Sequence, residues 1–382
     1  MSLTIPIAIN RIYRIAVSVF FFIAGFVFAS WASRIPDIKM ALHLTDAGLG
    51  TVLLALPAGL LTGLPLAGFL VSKYGSKNIL IAGAILYPGI LILLGLATTP
   101  LYLMCALFLF GFCGNLINIA VNTQAIGVEA KYGRSIMASF HGLWSLAGFA
   151  GAGFSTLMIN FNFSPLHHFY IIFATAMVLM LAAFNHTLPQ ATKPAKQSFF
   201  TKPDNAILKL GLIAFGSLVC EGTMFDWSGV YFQKVLLVPN SLRTVGYIAF
   251  MSAMASGRFI ADWLVTKYGV KKMLQMSGIT ISTGLFIAVV FPFILPATFG
   301  FLLVGLGVSS VVPLTFSLAG KSTKMEAGAA LSALSTIGFF GFLLGPPLIG
   351  FIAQAAGLRL SFAVIALIGL STTLMATKLK IT

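Results

Sequence analysis

The sequence predicts an all-α integral membrane protein of twelve transmembrane helices, arranged as two pseudo-symmetric six-helix bundles. Three observations predict it. Hydrophobic residues make up 59% of the 382 residues and charged ones only 8%, where soluble domains carry about 25% charged residues. Apolar runs of about 20 residues, each long enough to cross a ~30 Å hydrocarbon core as a helix, recur along the whole chain. The phrase Leu70-Val-Ser-Lys-Tyr-Gly-Ser-Lys77 also returns as Leu264-Val-Thr-Lys-Tyr-Gly-Val-Lys271. That repeat, at an offset of 194 residues, reads as two parallel copies of one helical unit around a central site.

In order, the predicted spans are 12–33, 48–72, 78–97, 101–128, 135–159, 168–187, 207–232, 243–266, 272–291, 298–319, 328–355 and 359–377. Arg11 and Arg14 before the first run mimic a secretory signal, but the run has full span length and eleven more follow, so it reads as a retained helix. The second and eighth spans each end in the repeated phrase. Small residues are dense in the fifth (Gly148, Gly151, Gly153) and the eleventh (Gly338, Gly341, Gly345, Gly350), where they let helices approach closely. Pro346-Pro347 removes two backbone donors within the eleventh span and predicts a kink. Between the sixth and seventh spans, the polar stretch from His186 to Asn205 carries Pro189, Pro194 and Pro203 with Lys193, Lys196 and Lys202. The expected organisation is therefore an N-terminal bundle over 1–187, a linker over 188–206 and a C-terminal bundle over 207–382. The repeat extends through Gly63 and Gly257, Gly111 and Gly305, and Gly151 and Gly345 at the same offset, while Trp31 and Trp227 match at 196.

The net charge of +15 is spread among short loops and gathers on no single face, which excludes a nucleic-acid-binding surface. Most Lys and Arg fall in loops on the side of the N-terminus. Arg34, Lys39, Lys234, Arg243 and Arg359 fall on the opposite side, and Arg258 falls within a span. The bias predicts cytoplasmic termini. Cys105, Cys113 and Cys220 lack metal-ligand spacing and read as core residues; no metal site and no cofactor are expected. His-Glu-x-x-His, Gly-x-x-x-x-Gly-Lys and Gly-x-Ser-x-Gly are all missing, which argues against an enzyme.

Ionisable groups inside a bilayer cost several kcal/mol when charged and are functional candidates. Glu221 leads them. Lys209 and Lys234 bracket its span, so the carboxyl falls near the midplane, where a group that is neutral when buried and ionises when water reaches it can couple protons. The competing reading is a protonated Glu that hydrogen-bonds two helices together. At 100° per residue, Ser217 and Ser228 fall within about 40° of Glu221, and Asp226 about 140° away, on a face suited to an outer gate. Asn115, Asn118 and Asn122 fall within about 60° of one another, a polar stripe that offers donors and acceptors to solute hydroxyls or to neighbouring helices. Gln124 projects opposite and reads as structural, and Glu129 is placed to pair with Lys131 or Arg134. His141 and Trp144 share a face; the indole suits the apolar face of a sugar-like ring, and His141 is a candidate proton relay or a packed residue. His167 and His168 read as an exterior loop. Trp31 and Trp227 lie toward the outer ends of paired helices, as interfacial anchors or outer-gate residues. Arg258 and Asp262, four apart, can pair on one helical face as a structural ion pair or a cytoplasmic latch.

With twelve spans as six plus six, a basic central loop and a Gly-x-x-x-x-x-x-Gly-x-Lys loop after the second and eighth spans, the chain resembles the major facilitator superfamily (MFS) of secondary transporters. The loop reads Gly68-Phe-Leu-Val-Ser-Lys-Tyr-Gly75-Ser-Lys77. It departs from the family pattern at Ser72, and at Thr266 in the second copy, where the family usually has an aspartate, so the usual gate ion pair cannot form. Arg34-Ile-Pro36 and Phe140-His-Gly-Leu-Trp-Ser-Leu-Ala-Gly148 are similar to a poorly characterised bacterial branch that includes rhizopine-type (inositol-derivative) transporters. The resemblance implies that the first, fourth, seventh and tenth spans line a cavity, so that Glu221 stands on a cavity helix, and that the protein works as a monomer.

The leading expectation is a bacterial inner-membrane transporter in a lipid bilayer that carries a small-molecule substrate, polar and hydroxyl-rich, together with protons by alternating access. One rival is proton-driven efflux of lipophilic or cationic compounds, encouraged by the many aromatics and a lone midplane acid. The other is a membrane sensor that keeps the fold without net transport.

Overall fold

A computed structural model describes residues 7–132, 136–189, 203–322, 324–325 and 327–379. Among the described residues the chain forms fourteen α-helices and no strand. α1 (Ile7–Ala32) is followed by two short helices, α2 (Ile35–Ala41) and α3 (Asp46–Leu53), and then by α4 (Ala55–Tyr74). Pro36 at the start of α2 supplies a φ suited to a first turn. Thr45 caps α3 by accepting from the Gly48 N–H at 3.0 Å. Pro57, just beyond, has no N–H to return to Leu53, which fits the break at Leu54 between α3 and α4. The expected second span is thus α3 plus α4.

The chain continues through α5 (Ser76–Gly95), α6 (Pro100–Tyr132), α7 (Met137–Asn160) and α8 (Pro165–Ala183), then α9 (Asn205–Lys234), α10 (Val245–Tyr268), α11 (Val270–Val290), α12 (Ile294–Gly320), α13 (Ala327–Ala356) and α14 (Leu358–Thr377). Each expected span has its helix among the described residues. Among the described residues, eleven spans have the length and apolar composition to cross a membrane; α10, which carries Arg258 and Asp262, is not one of them. Most of the expected linker, 190–202, lies outside the described residues. α13 stays helical through Pro346 and Pro347.

The chain divides by contact into two compact units. One comprises Met1–Trp31 and Ala58–Pro194, the other Ala32–Pro57 and Ala195–Thr382. The segment 32–57, with α2 and α3, therefore groups with the C-terminal helices.

In the N-terminal unit α5 packs on α6 and α8. Gln124 of α6 fixes one end of this group. Its amide nitrogen donates to Ser76 Oγ and to the Leu188 carbonyl, and its oxygen accepts from the Leu188 N–H, each at 2.9 Å. Glu129 Oε2 accepts from the backbone N–H groups of Ile136 and Met137 at 2.7 and 2.8 Å, which neutralises orphan donors at the start of α7. His168, expected in a loop, is fully buried in α8.

In the C-terminal unit α9 is central, packed by α12, α13 and α14, with α10, α11 and α12 mutually packed beside it. Tyr231, Phe301 and Phe362 form an aromatic cluster, and Tyr231 donates its hydroxyl to the Ala288 carbonyl at 2.7 Å, meeting the polar end of a buried ring.

The repeat is visible in packing as well as in sequence. A Cβ on Gly63 would stand 3.3 Å from Asn115 Cβ, and one on Gly257 would overlap Ser309; both pairs share the 194-residue offset. Gly75 and Gly269 lie within the repeated phrase at φ +84° and +79°. No neighbour stands within 4 Å of a Cβ at either position, so the backbone conformation, rather than crowding, requires glycine.

Candidate functional site

The charged centre of the C-terminal unit lies on α9 and α10. α9 is the most enclosed of the candidate spans, and Glu221 is buried in it. Its Oε1 lies 3.9 Å from Arg258 Nη2 of α10. That separation is an ion pair without a direct hydrogen bond. It answers the cost of placing either charge inside the helices, since each offsets the other. The sequence reading paired Arg258 with Asp262 on its own helix and treated Glu221 as a lone acid. The structure brings Arg258 to Glu221; the side chain of Asp262 lies outside the described residues.

Ser217 and Ser228 share the Glu221 face and are both buried, and Ser217 Oγ has no hydrogen-bond partner among the described residues. Asp226 is half-buried. It shares a face with Gly222 and Gly229, whose neighbours are Phe342 of α13 and Pro36 of α2. Trp31 and Trp227, expected as interfacial anchors or gate residues, are 1% and 0% exposed, so neither ring sits at a lipid interface. Neither indole N–H has an acceptor among the described residues.

In the N-terminal unit the asparagine stripe divides. Asn115 is buried and donates to the Leu60 carbonyl of α4 at 2.6 Å, a tie to a neighbouring helix, one of the two uses offered for the stripe. Asn118 is exposed and Asn122 half-exposed. The Asn122 amide donates to the Asn118 side-chain oxygen at 2.9 Å, so the pair presents preorganised amide groups. On α7, His141 is exposed and stands edge-on to Phe21, 5.4 Å between ring centroids. Trp144 is half-buried beside Phe28 at 6.1 Å.

The structure adds a group that sequence reasoning missed. Asp37 of α2 joins Arg34 at 2.9 Å and Arg243 of the α9–α10 loop. Asp46 of α3 joins Lys39 at 2.9 Å and Lys234, the last residue of α9, at 2.7 Å. α3 also crosses α13 closely, since a Cβ on Gly50 would stand 2.6 Å from the Pro346 carbonyl oxygen. Residues 33–53 thus form a strap tied to the C-terminal helices by two acids, each shared between two cations. A signal was available. Arg34, Lys39, Lys234 and Arg243 are cations on the side where the charge bias places few, and Asp37 and Asp46 are the acids of that same stretch.

The Major Facilitator Superfamily family matches residues 15–329 and 246–381. An uncharacterised MFS-type transporter of Yersinia pestis is 37% identical over 357 residues, covering 93% of each chain. Membrane protein MosC of Rhizobium meliloti is 32% identical over 359 residues, 93% of this chain and 87% of that one. Among solved structures, the nucleoside transporter NupG superposes with a TM-score of 0.76 at 13% identity, covering 96% of this chain and all of that one. An inward-facing, occupied bacterial homologue of the human lysosomal transporter Spinster gives 0.75 at 16% identity, covering 96% of each. These matches, joined to the helical fold and its internal repeat, make the chain a multi-pass secondary transporter that belongs to the major facilitator superfamily.

Proposed function

We propose that the chain carries a small polar solute, sugar-, cyclitol- or sugar-acid-like, across the bacterial inner membrane by proton-coupled symport, as a monomer with both termini cytoplasmic. The Glu221–Arg258 pair carries this reading. With Glu221 ionised, the two charges offset each other. A proton taken up by Glu221 cancels the carboxylate and removes its pull on the guanidinium, which strengthens the guanidinium's attraction for a solute oxygen. Proton and solute then favour the same state, which is the linkage symport requires. Asn118 and Asn122 supply amides for solute hydroxyls and Trp144 an aromatic plane, while His141 is a second titratable group on an exposed face. The orientation rests on the Lys and Arg bias among loops.

Efflux of lipophilic cations drew support from a lone midplane acid. Glu221 has a cation partner instead, with which a cationic cargo would compete. Proteoliposomes with an imposed inward proton gradient test the proposal against labelled sugars, cyclitols, sugar acids and cationic drugs. Symport predicts gradient-driven accumulation of a polar solute that Glu221→Gln abolishes while solute exchange without a gradient persists. Accumulation undiminished in Glu221→Gln, or activity confined to lipophilic cations, would sink it.

A further inference from the structure

We propose that Arg243, with Arg34 and Asp37, forms a binding site for a small anion, a halide or a carboxylate, that holds the strap on the C-terminal unit. Arg243 lies in the α9–α10 loop with its side chain only 3% exposed. One of its three nitrogens, Nη2, meets Asp37 Oδ1; Nε and Nη1 are buried and have no acceptor among the described residues. Asp37 cannot give Arg243 its whole charge, because its other oxygen accepts from Arg34 at 2.9 Å. The neighbouring acid offers no relief. Asp46 is itself shared between Lys39 and Lys234.

An arginine cannot shed its proton at this burial, unlike a lysine. A buried guanidinium that is only half neutralised is costly. Water would satisfy its N–H groups but not its charge, whereas an anion satisfies both. A small anion fits the chemistry best, since guanidinium groups pair with carboxylates through charge-assisted bonds and a halide has no directional demand. The free nitrogens are sealed from solvent, so the anion exchanges only when the strap lifts. By linkage, an anion bound only to the docked strap stabilises the docked state. This site is separate from Glu221 and Arg258 and does not depend on the solute carried or on proton coupling.

The test uses the purified full-length protein at constant ionic strength, with a bulky sulfonate replaced stepwise by chloride or acetate. Thermal unfolding and hydrogen exchange of residues 35–53 are followed. The expected result is a saturable rise in Tm of about 2 °C or more, with slower exchange in the strap. The rise disappears in Arg243→Gln and persists in Lys234→Gln, which alters the other acid's partners. If Arg243→Gln does not fold, Arg243→Lys keeps the charge, loses donors and is expected to weaken anion binding about tenfold, a loss of about 1.4 kcal/mol. A response to both chloride and acetate identifies a general anion site, and a response to acetate alone identifies carboxylate-bearing solutes as the source. Stability equal in chloride, acetate and sulfonate overturns the proposal.

Discussion

Lys234 Nζ lies 2.7 Å from Asp46 Oδ2, joining residues 188 positions apart in the chain. Lys39 reaches the other oxygen of the same carboxylate at 2.9 Å. Lys234 is 45% exposed at its side chain and Lys39 only 9%, so the inner cation depends more on Asp46. Asp46→Asn is expected to cost about 2 kcal/mol, below the 3–5 kcal/mol of a wholly buried pair because half of the partnership is solvated. The loss should appear as faster hydrogen exchange over residues 35–53, with helices far from the strap unchanged.

Glu221 and Arg258 should behave as a pair in unfolding as well as in transport. Arg258→Gln or Glu221→Gln alone removes one half of this buried charge pair and is expected to lower stability by about 3 kcal/mol at neutral pH. The double replacement removes both charges and should recover most of that loss. A double-mutant cycle by thermal denaturation measures the coupling; additive single losses would show that the two side chains do not interact.

Asn115 and Asn118, on one stripe, should separate by phenotype. Asn115→Ala removes the tie to Leu60 and is expected to lower stability by about 1–2 kcal/mol with little change in solute affinity. Asn118→Ala should leave the melting temperature near its original value and weaken solute binding about tenfold. Binding and unfolding measured on the same preparations decide between these outcomes.

Gly75→Ala and Gly269→Ala should each cost about 1 kcal/mol through the backbone alone, because a Cβ meets nothing within 4 Å at either site. As the residues belong to different units, their losses should add in the double variant. Equilibrium unfolding of the three variants checks this.

Much of the fold was legible because a membrane span declares itself through a long apolar run, and because the repeated phrase marked both glycine turns. Glu221 was legible for a related reason, as a carboxyl in such a run. Its partner was not. Helix-face arithmetic finds neighbours on one helix, and so offered Arg258 the local Asp262, but it is blind to the contact with Glu221 across α9 and α10. The same arithmetic grouped Asn115 with Asn118 although neighbouring positions on one face can meet a packed helix or an open surface. The strap was hidden most fully, since its partners are fixed by tertiary packing at long sequence separation and no local periodicity reports them.

That separation has a consequence during synthesis. The strap leaves the ribosome among the first membrane-bound segments, yet Lys234 and Arg243 follow Asp46 and Asp37 by 188 and 206 residues. At about 5–20 residues per second, Asp37 and Asp46 wait roughly 10–40 s for their later cations to be made. Through that interval Arg34 and Lys39 are their available local counter-charges. The nascent strap is thus kept from being two bare acids at the membrane surface, and its final docking is delayed until the second half of the protein exists to receive it.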